Sequence, residues 1–322
     1  MANIVLIDGG MGQELLHRSS NKNPKRWSAE YLLREPDLVR EVHLDYIDAG
    51  ARVLIINAYS ATYSRMRRIG VDDDVPLLQR TACELALAAR EAAGGAGSDV
   101  AIAGCLPPLN GSYRADRVRD FSVNLAEYRQ LVEHQAPHVD LFICETMSSA
   151  VEAQAAATAA CESGKPVWVG WTLQDDACAL LRSGETIAAA HAALADLPLA
   201  AVLANCTAPE SVSQAIPELV ATGRPAGGYA NGFTPIPLDY MPGQTLKQLG
   251  VRRELTPAVY ATFGAGWIDD GATIVGGCCE VTPGHIAALR DHLQAAGHTL
   301  VPATALEPTR QRSAPPPASN AR

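Results

Sequence analysis

No stretch of the 322 residues offers the ~18 uninterrupted apolar residues that a membrane-spanning helix requires. The N-terminal run Met1–Asp8 has neither a basic leading region nor a small-residue cleavage site, so no secretory signal is read there. Clustered basic residues are scarce as well. With 26 Lys and Arg against 35 Asp and Glu, a net charge of −9 and a pI near 5.4, the chain lacks what would neutralise a phosphate backbone, and nucleic acid is excluded as a partner. The one short basic cluster, Arg65-Met66-Arg67-Arg68, reads as solvated surface. No repeat of fixed period occurs, which argues against solenoids and propellers. The cysteines include no C-x-x-C pair, the usual mark of a zinc site.

What is present is a large apolar fraction, 48%, enough to bury a sizeable core. Eight cysteines accompany it. Without export a disulfide framework is not expected, so the chain is read as cytoplasmic and each thiol is either packing or chemistry. Cys83, Cys161 and Cys178 fall in expected helices or loops, and Cys144 stands one residue short of a strand end, facing the helices. These four are read as small apolar residues.

Along the chain a short apolar run, a polar break and an amphipathic stretch recur. The eight runs are Ile4–Asp8, Arg52–Asn57, Val100–Cys105, Leu141–Glu145, Val167–Thr172, Ala200–Cys206, Pro225–Asn231 and Thr273–Cys279. Most are continuous rather than alternating, as in parallel strands covered on both faces. Between them, Pro36–Ala49 places Leu38, Val39, Val42, Tyr46 and Ile47 on one helical face, with Pro36 in the first turn and Gly50 as the stop. Segments 148–164, 208–221 and 282–297 also read as helices. The pattern predicts an α/β fold, a single-domain (β/α)8 TIM-type barrel over residues 1–302, with a doubly wound open sheet as the structural alternative. Residues 303–322, rich in Pro and Ala, are expected to form a disordered tail. Two turn-rich segments, Leu106–Asp120 and Gly232–Gly243, interrupt the rhythm and read as functional lids.

In a barrel the carboxyl ends of the strands form the active rim. Those ends carry Asp8-Gly9-Gly10, Asn57-Ala58-Tyr59, Cys105, Glu145-Thr146, Thr172, Asn205-Cys206, Tyr229-Ala230-Asn231 and Gly276-Gly277-Cys278-Cys279. Two adjacent cysteines after two glycines can reach one ion if the backbone bends sharply, and Cys206 could converge from the sixth strand. Three thiolates would leave one tetrahedral position of Zn2+ open, the arrangement of a catalytic zinc. Spacing alone leaves a vicinal disulfide or plain packing equally available. Asp8 before Gly-Gly can equally make a turn. A Glu ending an apolar strand is costly to bury unpaired.

Gly276-Gly277-Cys278-Cys279 followed by Thr282-Pro283-Gly284-His285-Ile286 resembles the signature of the homocysteine S-methyltransferase family. Asn205-Cys206, Asp8-Gly9-Gly10-Met11-Gly12, Trp27-Ser28-Ala29 and Glu145-Thr146-Met147 fall in that family's order, and the likeness runs from about Ile4 to His292. The resemblance implies a (β/α)8 barrel with Zn2+ on Cys206, Cys278 and Cys279. It also implies zinc-dependent transfer of a methyl group to homocysteine, giving methionine. Asp8 and Glu145 would hold the amino group of homocysteine, and backbone amides near Gly9 and Gly10 its carboxylate. Asn205 is expected to support the Cys206 loop.

The family's methyl donors carry an onium centre, which aromatic rings hold by cation–π attraction, and Trp27, Tyr59 and Tyr229 are the candidates. Betaine-using members place an aromatic residue after the strand-four glutamate. Thr146 stands here instead, favouring a sulfonium donor, S-methylmethionine or S-adenosylmethionine. The chain departs from the family at Cys105–Ser112, where a Gly-Pro-Tyr type of segment is usual, and at Tyr229-Ala230-Asn231-Gly232, where Tyr-Pro-Asn is usual. A hydrolytic zinc barrel would want a His-x-His pair where Asp8-Gly9-Gly10 stands. A non-catalytic zinc-stabilised binding barrel would want a fourth protein ligand, for which His285 is the nearby candidate, on a helix that should turn it away. Oligomeric state is left open.

Overall fold

The computed structural model describes residues 1–176, 178–238 and 249–306. The strands are β1 (Asn3–Leu6), β2 (Val53–Ile55), β3 (Ala101–Leu106), β4 (Leu141–Met147), β5 (Val167–Trp171), β6 (Leu199–Asn205), β7 (Ala226–Ala230), β8 (Ile274–Gly277) and β9 (Thr299–Leu300). After β1 come α1 (Met11–Arg18), α2 (Ala29–Arg34) and α3 (Pro36–Asp48), and after β2 come α4 (Tyr63–Arg67) and α5 (Val75–Ala92). The remaining helices alternate singly with the strands: α6 (Phe121–Gln135), α7 (Ala150–Cys161), α8 (Ile187–Ala192), α9 (Pro209–Ala221), α10 (Pro257–Asp269) and α11 (Pro283–Ala295).

All strand pairs are parallel, in the order β2-β3-β4-β5-β6-β7-β8-β1-β9. The sheet curls back on itself where Ile7 meets Val53 in a parallel bridge, supported by Asp8 N–H to Val53 O at 3.0 Å and Arg52 N–H to Leu6 O at 2.7 Å. That closure is what an open doubly wound sheet lacks, so the barrel reading holds. All eight expected runs form strands, several shorter than their apolar stretches. β2 ends at Ile55 because the chain turns there into the rim loop that carries Asn57 and Tyr59.

The continuous apolar runs follow from burial on both faces. Val5, Ile7, Val53, Ile143, Trp168, Leu203 and Ile274 fill the barrel interior, while Ile4, Leu6, Leu54, Phe142, Val169 and Val202 face the helices. Cys144 joins the outer layer, and Cys83 is buried in α5. Cys178 differs from its expectation: it lies exposed in the turn after β5, so it packs against nothing that would make it core. The helix signals act as read. Pro36 opens α3 and Gly50 follows it at φ +106°, a left-handed conformation that glycine adopts without strain.

β9 was not anticipated. Its two residues pair with Asn3 and Ile4, and Val301, Ala303 and Leu306 then pack against the interior cluster, closing the end of the barrel opposite the rim. Residues 303–306, expected within a disordered tail, thus continue the fold through a short 3-10 turn. The rest of that expected tail, 307–322, lies outside the described residues, as does the 239–243 part of the second expected lid. No helix among the described residues is long and apolar enough to cross a membrane.

Candidate metal and substrate centre

Each of the three rim cysteines is aimed by a tight backbone arrangement. Cys206, the first residue past β6, has φ +50° and donates its N–H to Tyr229 O on β7. Cys278 follows β8 and donates its N–H to Ala230 O, and the chain then turns through Glu280 at φ +63°. Tyr260 of α10 pins both strand ends: its hydroxyl donates to Gly276 O at 2.7 Å and accepts from Ala230 N–H at 3.1 Å. Gly9 and Gly10 let the β1–α1 turn pass against this loop, since a Cβ on either would overlap the carbonyl oxygen of Val281 or Cys278 respectively.

The result is a triangle of sulfurs. Cys206 Sγ and Cys279 Sγ stand 3.9 Å apart, and all three Sγ atoms lie within 4.8 Å of one another. Tetrahedral zinc with Zn–S near 2.3 Å requires sulfurs about 3.8 Å apart. The three thiols therefore suit a soft divalent ion with little movement. Among the described residues this is the one such cluster. Hydrogen bonds from Cys278, Cys279, Tyr113 and Asn231 hold the Cys206 thiol well below its ordinary range, while Cys206 raises both of its neighbours.

The cluster forms the inner end of a cavity of about 490 Å³. Glu145, Tyr229, Gly9, Gly10 and Gly277 line it near the sulfurs, Trp27 and Tyr59 border it, and Lys25, Arg65, Arg68 and Ile69 stand further out. Glu145, two residues before the end of β4, is buried, and burial pushes its carboxyl up to about 7. It accepts a hydrogen bond from the Cys105 thiol at 2.9 Å. Cys105 in turn is held by Gln135, whose side chain accepts from Cys105 N–H at 2.9 Å and donates to Cys105 O at 3.0 Å.

Asp8 sits lower than its neighbours. Its Oδ2 accepts from Ile55 N–H at 2.9 Å, its Oδ1 is buried without a partner, and it is not among the residues lining the cavity. Burial and, less strongly, the charge of Glu145 raise its carboxyl well above the usual range. Gly10 N–H is engaged by Val281 O. Tyr229 is buried, with its hydroxyl unpartnered beside the cavity. Tyr59 donates to or accepts from Ser112 Oγ at 2.7 Å, and one face of its ring is covered by the Arg65 guanidinium at 5.0 Å. Trp27 lies on the wall at φ +52°.

Two groups of residues were not anticipated. Tyr113, from the loop after β3, bonds Cys206 Sγ through its hydroxyl at 2.9 Å, and Arg182 stacks on its ring at 5.2 Å. Arg182 pairs with buried Asp175 at 3.0 Å, and Asp175 also accepts from Thr207 Oγ1 and Ala208 N–H, immediately after Cys206. Nothing in the sequence marked them beyond the unusual length of that loop. The basic cluster is only in part the plain surface expected: Arg65, Met66 and Arg68 line the cavity, because α4 follows the rim loop directly, while Arg67 and Arg68 are exposed. His285 is accounted for by helix capping. Its Nδ1 accepts from Thr282 N–H at 3.1 Å and its Nε2–H donates to Leu255 O at 3.0 Å, which leaves neither nitrogen for a metal.

Comparison with known proteins agrees with this arrangement. Residues 5–293 match the family model for homocysteine S-methyltransferase. A homocysteine S-methyltransferase of Escherichia coli is 32% identical over 311 residues, covering 89% of this chain and 94% of the relative. A selenocysteine methyltransferase of Astragalus bisulcatus is 30% identical, covering 88% and 90%. The crystal structure of the metallated form of the Escherichia coli homocysteine methyltransferase MmuM superposes with a TM-score of 0.75 at 31% identity, over 90% of this chain and 96% of that one. Its oxidised form gives 0.74. From Val5 to Leu293, then, this chain belongs to the homocysteine S-methyltransferase family.

Proposed function

We propose that this enzyme moves a methyl group from a sulfonium donor, S-methylmethionine or S-adenosylmethionine, to the thiol of homocysteine, giving methionine, with Zn2+ held by Cys206, Cys278 and Cys279. The observation that carries the reading is the convergence of three sulfurs on the lining of one cavity, a set that would hold zinc through three protein ligands. When bound, zinc supplies Lewis acidity that keeps a substrate sulfur ionised at neutral pH.

The protein's own groups do the rest. Glu145 receives the substrate ammonium, which restores its charge against the penalty of burial, and the same cation favours ionisation of Asp8, which burial otherwise opposes. The Gly9–Gly10 turn leaves room for the substrate backbone. Trp27 and Tyr229 shape an aromatic wall for the onium centre. The acceptor sulfur, its proton released to solvent, attacks the methyl carbon in line. The new S–C bond forms as the donor's C–S bond breaks, and that electron pair leaves on the donor sulfur as a neutral thioether. A cytoplasmic setting suits the mechanism, because the three thiols act only while reduced.

The test is metal analysis combined with a donor panel. The expected result is one zinc per chain, and methionine from homocysteine with a sulfonium donor in preference to betaine, with selenocysteine included as a second acceptor. Loss of zinc in Cys278→Ala with turnover intact would rule out the mechanism. Tight zinc with no product from any donor would favour a binding protein instead.

A further inference from the structure

Taking the methyl-transfer reading above as its basis, we infer that Arg65, with Arg68 one helical turn on, forms a subsite for the carboxylate of the methyl donor. Both line the outer part of the cavity. Arg65 is half-buried, and everything it touches is neutral. Its Nη2 donates to Pro108 O at 2.9 Å and to Ser112 Oγ at 3.3 Å, and its guanidinium lies over the Tyr59 ring. Arg68 reaches only the amide oxygen of Asn110, at 3.5 Å.

Three neighbouring arginines are neutralised. Arg67 pairs with Asp72 at 3.0 Å, Arg119 with Glu127 at 2.8 Å, and Arg26 with Glu30 and Asp74. Among the described residues no carboxylate stands within ion-pair distance of Arg65 or Arg68. Burial and then the neighbouring Arg65, Arg117 and Arg119 lower the Arg68 guanidinium, with Glu127 opposing them less strongly.

The cavity is therefore electrically polar along its length. Its inner end holds the three cysteine sulfurs and Glu145; its outer part holds Arg65 and Arg68. A sulfonium donor can place the carboxylate of its α-amino acid end on Arg65 and direct its methyl inward. In-line attack requires the same order. The acceptor sulfur occupies the inner end, so the donor lies beyond it, toward the mouth. An onium alone would be repelled by Arg65, whose guanidinium covers one face of the Tyr59 ring. The carboxylate decides the fit.

Zinc-loaded full-length enzyme is assayed with S-methyl-L-methionine and with its carboxamide, in the wild type, Arg65→Gln and Arg65→Lys. The wild type is expected to favour the carboxylate donor. Arg65→Gln raises its KM about tenfold to a hundredfold, the range of one charge-assisted hydrogen bond, and brings it level with the carboxamide. The KM for homocysteine and the zinc content stay unchanged, and Arg65→Lys recovers part of the loss. A purely structural brace on the loop at Pro108 predicts otherwise: equal losses for both donors, or a raised homocysteine KM. Either outcome overturns the subsite. Should the wild type turn over no donor, the methyl-transfer reading fails separately, and calorimetric binding of S-methyl-L-methionine still reads the subsite. Affinity unchanged by Arg65→Gln would then sink it.

Discussion

The side chain of Asn205 closes a two-point pair with Thr146: its Oδ1 accepts from Thr146 N–H at 2.8 Å, and its Nδ2 donates to Thr146 Oγ1 at 2.9 Å. Both partners are fully buried, and each borders a left-handed backbone, Thr146 itself at φ +61° and Cys206 at φ +50°. The pair skips over β5 and ties the end of β4, which carries Glu145, to the end of β6, which carries Cys206. One amide thus sets the spacing between the carboxylate and the sulfur cluster.

Replacing Asn205 with Ala leaves Thr146 N–H buried without an acceptor and releases two strained residues. The expected loss is about 2–4 kcal/mol of unfolding free energy, with weakened zinc retention. Urea denaturation followed by chelator competition measures both. A variant as stable and as metal-tight as the parent would show that the pair positions nothing.

Tyr113→Phe removes the hydroxyl that bonds Cys206 Sγ while keeping the ring under Arg182. The thiolate form of Cys206 loses a supporting donor, so zinc affinity should fall by a few-fold to tenfold, the scale of one hydrogen bond. The metal-free protein should also react more slowly with a thiol reagent at neutral pH. Unaltered chelator competition together with unaltered reaction rate would count against the contact.

Burial holds the Glu145 proton up to about 7, above the ordinary 4.5. Between those values the folded state keeps a proton that the unfolded chain has released, so this group's contribution to stability falls as pH rises from 4.5 to 7. Glu145→Gln removes the penalty. In metal-free protein without substrate it should be more stable at pH 7 by about 2–3 kcal/mol, with a flatter profile across the window. Homocysteine binding should collapse in the same variant, because the ammonium has lost its charge partner. A less stable Gln variant would mean that Glu145 is ionised in the empty site.

His43 of α3 presents the opposite sign. Its ring is fully buried with both nitrogens unpartnered, and burial lowers it from 6.5 to about 3. Below pH 6.5 the unfolded chain binds a proton that the folded chain rejects, so stability is lost as pH falls toward 3. His43→Leu should flatten that acid limb by up to one proton. Glu145 acts oppositely over part of the same range, so the comparison is cleanest in the Glu145→Gln background. Thermal midpoints from pH 4 to 7 would decide it, and identical acid slopes would show that His43 has a partner in the fold.

Much of the site could be read from residue order, for a physical reason. A parallel strand buried on both faces leaves few places for polar atoms except its carboxyl end, so Asp8, Glu145, Cys206, Cys278 and Cys279 advertised themselves as interruptions of apolar runs. The same logic identified β1 through β8 and the helices that begin at Pro36 and Pro283. It failed where function came from loops. Tyr113, Asp175 and Arg182 have no periodic context, and their roles depend on which side of the rim each loop falls. Arg65 looked like surface because charge near charge in a sequence resembles a solvated helix face. Only the direction of α4 turns it into the cavity.

Strand and helix identities, the parallel architecture and the sulfur-rich rim followed from local patterns of apolarity and from glycine and proline, since these act over a few residues. Closure through Ile7 and Val53, the distances within the sulfur triangle, the burial that raises the Glu145 carboxyl and the place of Arg65 on the cavity wall belonged to contacts between segments far apart in the chain. Such contacts are fixed by how the eight strands stagger around one another and by which loops meet above them, and no local stretch of residues encodes that geometry by itself.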